Sequence, residues 1–210
     1  MKKIAVIDYG MSNLHSVIKA FQKVSDKNYK LYIAHSSADL ESASIIILPG
    51  QGAARACMEK LKINFPDLKD FILNKPFMGI CLGFQILFDK SSEDGGVDCL
   101  SIIDGTVKDF RAEIKRDMKV PHMGWNRVKQ QNKSSLWNNI LDETFFYFVH
   151  SYYGQANNET DEGSISSYGI NFTSSVVKDN IFACQFHPEK SSKDGLQLLS
   201  NFISWTDSRL

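Results

Sequence analysis

Neither sign of charge dominates this chain, in which 24 Lys and Arg stand against 24 Asp and Glu over 210 residues. Without a basic stripe there is no electrostatic footprint for nucleic acid, and without an acidic run there is no solvated tail. Cysteine is sparse. Its four positions, 57, 81, 99 and 184, show neither a CxxC nor a Cys/His zinc spacing, so neither a disulfide framework nor a metal site is expected. Long hydrophobic runs are missing too. The opening MKKIAVIDYG begins like a signal peptide, but Asp8 interrupts the apolar stretch after four residues, and no segment approaches a membrane span. There is no internal repeat, low-complexity tract or linker. The expectation is a cytoplasmic protein with reduced thiols, no metal and no cofactor, folded as one domain over residues 1–210.

What is present alternates. KIAVID (3–8), YKLYIA (29–34), SIIILPG (44–50) and PFMGI (76–80) read as strands, three of them continuously apolar. Between them lie helical patterns: residues 12–24, capped by Ser12, then SSADLESA, and then residues 53–62 and 66–74. Strand and helix in alternation, with apolar strands, predict an α/β fold with a mainly parallel sheet covered on both faces. The second half changes character. GTVKDF, WNRVKQ, FFYFVHSYY, SISSYG, FTSSVVKD and NIFACQF are strand-like and punctuated by turns, so an antiparallel portion is expected. Residues 191–205 close the chain as an amphipathic helix.

One junction carries chemistry. Gly79-Ile80-Cys81-Leu82-Gly83 lies between the strand 76–80 and a helical pattern over 82–89. A nucleophile on a sharp strand-to-helix turn is the arrangement of the G-x-S-x-G elbow, here with a thiol. The start of a helix favours thiolate, and the Leu82 N–H can face an oxyanion. The same residues also fit a buried structural cysteine beside close-packed glycines. A base is needed, and His187 stands in QFHPEKS behind the apolar run IFACQF. Pro188 biases His187 to an extended conformation, so Glu189 two residues on can reach its ring. Alone, HPE is equally an exposed turn. With the cysteine elbow it completes a nucleophile, a base and an orienting carboxylate. His15 falls in the first helical pattern and His35 behind a strand, both outside this group.

GICLGFQ together with QFHPE resembles the class I, or triad, glutamine amidotransferases. VIDYGMSNLHSV, LPGQG, PHMGWNRV and YFVHSYY resemble more narrowly the glutaminase subunits of imidazole glycerol phosphate synthase, and the likeness runs over essentially the whole chain. It implies hydrolysis of the side-chain amide of L-glutamine by Cys81, His187 and Glu189. It implies an oxyanion site from the Leu82 N–H and the Gly50-Gln51-Gly52 loop, where the family commonly has valine at the position of Gln51. Gln85 and Glu93 match positions that hold the amino-acid end of glutamine, as does the backbone of His150, Ser151 and Tyr152. The implied partner is a (β/α)8-barrel synthase subunit that consumes the ammonia in histidine biosynthesis. Met123 and Trp125 of PHMGWN, with Asn13 and Lys190, match interface-facing positions, although a tryptophan near a strand is more often core. Two other readings stand beside this one. One is a paralogous glutaminase that feeds a sugar-amidating partner in surface polysaccharide synthesis. The other is a non-catalytic regulatory protein that has kept the fold, against which the intact Cys81, His187 and Glu189 count.

Overall fold

In the computed structural model, which describes residues 1–10 and 14–207, the first half of the chain folds as the alternation requires. In chain order its elements are β1 (Lys2–Ile7), α1 (Leu14–Val24), β2 (Tyr29–Ala34), α2 (Ser37–Leu40), β3 (Ile45–Gly50), α3 (Ala54–Asn64), α4 (Leu68–Asn74), β4 (Phe77–Cys81) and α5 (Leu82–Gln85). The second half holds β5 (Lys90–Ser91), β6 (Val97–Asp98), β7 (Gly105–Asp109), β8 (His122–Gln130), β9 (Thr144–His150), β10 (Tyr152–Ala156), β11 (Glu162–Tyr168), β12 (Ile170–Lys178), β13 (Ile181–Cys184) and α6 (Ser192–Asp207).

Five strands in the order β2-β1-β3-β4-β13 run parallel. From β13 the sheet continues through antiparallel β12 into β10 and β7, while β11, β8 and β9 branch from β12. Each face of the parallel part carries its own apolar layer. On one side Ile46, Leu48 and Phe77 meet Met58, Leu61 and Ile72 from α3 and α4. On the other, Ile45, Ile47, Met78 and Ile80 meet Val17 and Phe21 of α1 and Leu198, Leu199 and Phe202 of α6. Burial on both faces is the reason these strands are apolar throughout rather than alternating.

Three expectations need revision. Residues 82–89 do not form one helix. After the single turn of α5 the chain tightens, with Leu87 N bonded to Phe84 O and Phe88 N to Gln85 O, and then turns into β5. Ile86, Leu87 and Phe88 are all fully buried, so no solvent-facing side exists for an amphipathic helix to present. FFYFVHSYY is not one strand. It breaks at Ser151, where β9 leaves β8 and β10 joins β7. His187 itself is extended, as Pro188 requires, but Pro188–Lys190 after it is a 3₁₀ turn rather than a continued extended run. Ser12, expected to cap α1, lies outside the described residues.

Parallel strands end on the same side of a sheet, and open α/β sheets bind ligands beyond those carboxyl ends. Gly50 at the end of β3 pairs in register with Cys81 at the end of β4. His187 follows β13 on the same edge. The order β3-β4-β13 thereby gathers three segments that are far apart in sequence.

Candidate active site

Cys81 sits between strand and helix with φ 56° and ψ −104°, a conformation that side-chain-bearing residues rarely adopt. Its neighbours explain why the elbow needs glycine. A Cβ at Gly83 would lie 1.9 Å from the carbonyl oxygen of Leu48, and one at Gly79 would lie 2.4 Å from that of Gly83. The glycines therefore permit close approach of α5 to β3 and β4, while the unusual dihedral falls on the cysteine itself. A single helical turn sums few peptide dipoles, so the elbow alone supplies a weaker field than a long helix would.

His187 adds a charge of its own. Its Nδ1 is 2.8 Å from Glu189 Oε1, and both side chains are largely closed to solvent. Nε2 has no hydrogen-bond partner among the described residues, and Cys81 acts on the ring as a nearby charge. Burial opposes the imidazolium, yet a negative Cys81 and the Glu189 carboxylate outweigh it and raise His187 to about 10. The Pro188–Lys190 turn makes the pairing possible by folding the carboxylate back under the ring.

Cys81 and His187, but not Glu189, line a cavity of about 340 Å³. Gln51, Gly52, Leu82, Gln85, Glu93, His150, Ser151 and Tyr152 all border it, with Cys81 and His187. Gly50 lies just behind, bordering a small adjoining void with Gln51, His187 and Glu189. Gln85, which the sequence left open as a surface residue, is buried. Its Nε2 donates to the Tyr152 carbonyl at 2.8 Å and to Gln185 Oε1 at 2.9 Å. Glu93 Oε2 accepts the Ala54 N–H at 2.7 Å at the start of α3. Burial, with Asp94 and Asp109 nearby, holds Glu93 above the usual carboxylate range although that N–H pulls the other way.

Met123 and Trp125 stand 62% and 52% exposed on the outer face of β8, against the commoner buried placement. Tyr147 lies opposite Trp125 in register, with ring centroids 6.2 Å apart. The Lys190 ammonium is 6.0 Å from the Tyr147 ring, and Lys190 also borders the cavity. Asn13 lies outside the described residues.

Sequence reasoning missed what stands behind this wall. His150 Nδ1 donates to the Tyr152 carbonyl at 2.7 Å, and its Nε2 lies 2.8 Å from His122 Nδ1. His122 Nε2 is 3.2 Å from the Asn126 amide nitrogen, which also donates to Ser167 O. His122 is stacked on Phe148 and on Tyr168. Burial lowers His122 to about 4, and burial with His122 beside it lowers His150 to about 3. Both histidines are neutral at pH 7, each donating through Nδ1. The two histidines lie in PHMGWNRV and YFVHSYY, but their pairing across 28 residues depends on the β8–β9 register.

A thiol and a carboxylate-oriented imidazole on one cavity, at the carboxyl edge of a sheet extended by antiparallel strands, define a class of protein. The family model for class I glutamine amidotransferases matches residues 5–205, and the chain belongs to that family. More narrowly, it is similar to the imidazole glycerol phosphate synthase subunit HisH of Hydrogenovibrio crunogenus, at 44% identity over 97% of each chain. It is similar likewise to that subunit of Nitrosospira multiformis, at 46% identity over 98% of this chain and 99% of the relative. Among solved structures it matches PurLQS from Thermotoga maritima at TM-score 0.71 and 17% identity, covering 97% of this chain and 98% of that one. A glutamine amidotransferase, also from Thermotoga maritima, matches at TM-score 0.62 and 16% identity over 99% of this chain and 85% of that one. At those identities the two structures speak for the fold alone.

Proposed function

We propose that this chain is the glutaminase subunit of an imidazole glycerol phosphate synthase and that Cys81, His187 and Glu189 carry the hydrolysis. The observation that carries the reading is the 2.8 Å Glu189–His187 contact beside a cavity that Cys81 and His187 line together. The protonated imidazole is the partner that a thiolate needs. Sulfur attacks the carboxamide carbon of glutamine, forming a C–S bond and a tetrahedral oxyanion. His187 gives its proton to the amide nitrogen, the C–N bond breaks, and ammonia leaves. Water then attacks the glutamyl thioester while His187 takes one of its protons. The C–S bond breaks, releasing glutamate and restoring the thiolate. Glu189 keeps Nδ1–H directed to itself, so Nε2 does the proton work.

The Leu82 N–H and the backbone of Gly50-Gln51-Gly52 would take the oxyanion. The register of Gly50 with Cys81 and the position of Gln51 and Gly52 on the cavity support this role. Gln85 and Glu93, with the 150–152 edge, would hold the amino-acid end. The amide nitrogen of Gln85 is already committed, so its Oε1 is the atom left for an ammonium group.

Ammonia is useful where it is consumed. The exposed ribbon of Met123, Trp125 and Phe145 supports a protein partner here, since exposed aromatics and methionine anchor interfaces. The partner is the (β/α)8-barrel synthase, in a cytoplasmic complex. The test is Cys81→Ala in that complex. Glutamine-dependent synthesis should vanish, while synthesis from added ammonium salts continues. Glutamine turnover comparable to wild type would remove Cys81 from the mechanism.

A further inference from the structure

Two residues before His187, a polar side chain that the hydrolysis has not used reaches the nucleophile. Gln185 is fully buried. It lies just past the end of β13, fixed by its backbone N–H on Ser174 O at 2.9 Å. Its side-chain Nε2 is 3.6 Å from the Cys81 sulfur, within hydrogen-bonding distance for that acceptor. Its Oε1 accepts from Gln85 Nε2.

We propose that Gln185 is a further catalytic residue, whose amide N–H donates to the Cys81 sulfur and holds it as the nucleophile.

The orientation of this amide is forced. The Tyr152 carbonyl is only an acceptor, so Gln85 must turn its NH₂ towards it. The second hydrogen of that NH₂ then points at Gln185, which must present oxygen. Rotating the Gln185 amide by half a turn would set donor against donor at Gln85 and a carbonyl against the sulfur. One backbone carbonyl thus fixes, through two glutamines, a neutral N–H on the nucleophile. His187 must give up its proton to the leaving nitrogen during the reaction. Gln185 does not titrate, so it remains a donor to sulfur through every step, including the return of the thiolate when the thioester opens.

The proposal rests on Cys81 as the nucleophile, and its test is kept separate from that reading. The rate of iodoacetamide modification at Cys81, located by peptide mass, is followed against pH in wild type, Gln185→Met and Gln185→Glu. The methionine variant should move the midpoint upward by about one pH unit, so that modification below the midpoint slows roughly tenfold, the value of one charge-assisted hydrogen bond. Gln185→Glu keeps the acceptor for Gln85 but sets a carboxylate beside the sulfur, and should move it further. In that variant kcat should fall much more than KM changes, because the cavity wall is intact. An unchanged midpoint in either variant overturns the proposal. In wild type, the side-chain amide proton of Gln185 should shift in NMR with the Cys81 titration and cease to do so in Cys81→Ser. An amide signal flat across that titration overturns the proposal whatever the variants do. A thiol that titrates as described in a chain whose Cys81→Ala variant still turns over glutamine would instead remove the nucleophile assignment and leave the hydrogen bond standing.

Discussion

A cysteine at φ 56° is held there by its neighbours, and the glycines around it carry the most severe single-residue prediction. Gly83→Ala sets a methyl 1.9 Å from Leu48 O, a backbone atom, and a Cβ has no torsion by which to move away. The substitution should lower stability by roughly 3 kcal/mol or more, seen as a large fall in Tm. A variant that melts with wild type would mean that α5 can lift off β3 freely. The charge on His187 gives a second prediction. Burial alone would lower it, and the raising comes first from a negative Cys81 and then from Glu189. In Cys81→Ala the NMR titration of the His187 ring should therefore move from about 10 down towards the ordinary histidine range. A titration that stays put would show that Glu189 alone holds the proton. The proposed triad could be read from the sequence because an elbow and an HPE turn are local patterns. Gln185 was not, because its contact with Cys81 spans 104 residues and exists only once β4 and β13 pair.

At the scale of elements, the parallel half was readable because strands buried on both faces leave continuous apolar runs. The limits were physical. The one-turn α5 looked longer because Ile86, Leu87 and Phe88 keep a helical composition while lying entirely inside the core. The bend at Ser151 left no mark in FFYFVHSYY, since composition is blind to which neighbour a strand pairs with. Nor does composition settle the fate of Trp125, and here the β8–β9 ribbon decides. Its inner face buries His122, Phe146 and Phe148, and its outer face shows Met123, Trp125 and Phe145. Trp125→Ala should accordingly change the stability of the isolated chain by little, within about 0.5 kcal/mol as for surface sites. It should weaken binding of the proposed barrel synthase by about tenfold or more, if Trp125 is the interface anchor proposed above. Titration calorimetry with that synthase reads the second effect. Undiminished affinity would move the interface elsewhere on the molecule.

Across the whole molecule, the hydrogen bonds join the thiol to the exposed ribbon. They run from Cys81 through Gln185 and Gln85 to the Tyr152 carbonyl, and on through His150 and His122 to Asn126. Two buried neutral histidines in that line give it a pH limit. Their folded pKa values, about 4 and about 3, lie below the ordinary histidine value of 6.5. The stability tied to them is complete above pH 6.5. It is lost as pH falls from 6.5 towards 4, because the unfolded chain takes protons there that the folded chain refuses. His187 is raised, so its contribution is full and constant below 6.5 and declines only on the alkaline side. Asp39 and Asp207 are lowered and act below their ordinary value of 3.8, outside this window. Glu93, raised by burial, works in the opposite sense above 4.5, where the folded chain takes a proton that the unfolded chain does not. Below about pH 6.5 the histidine pair therefore drives the decline, with Glu93 opposing it. Unfolding free energy from urea titrations should fall by up to about 1.4 kcal/mol per pH unit for each proton withheld, with the second proton opposed by the first. His122→Asn removes one withheld proton and should flatten the decline. A wild-type profile level from about pH 7 to 5 would mean that the pair accepts a proton inside the fold, and that the line from thiol to ribbon is broken there at no cost.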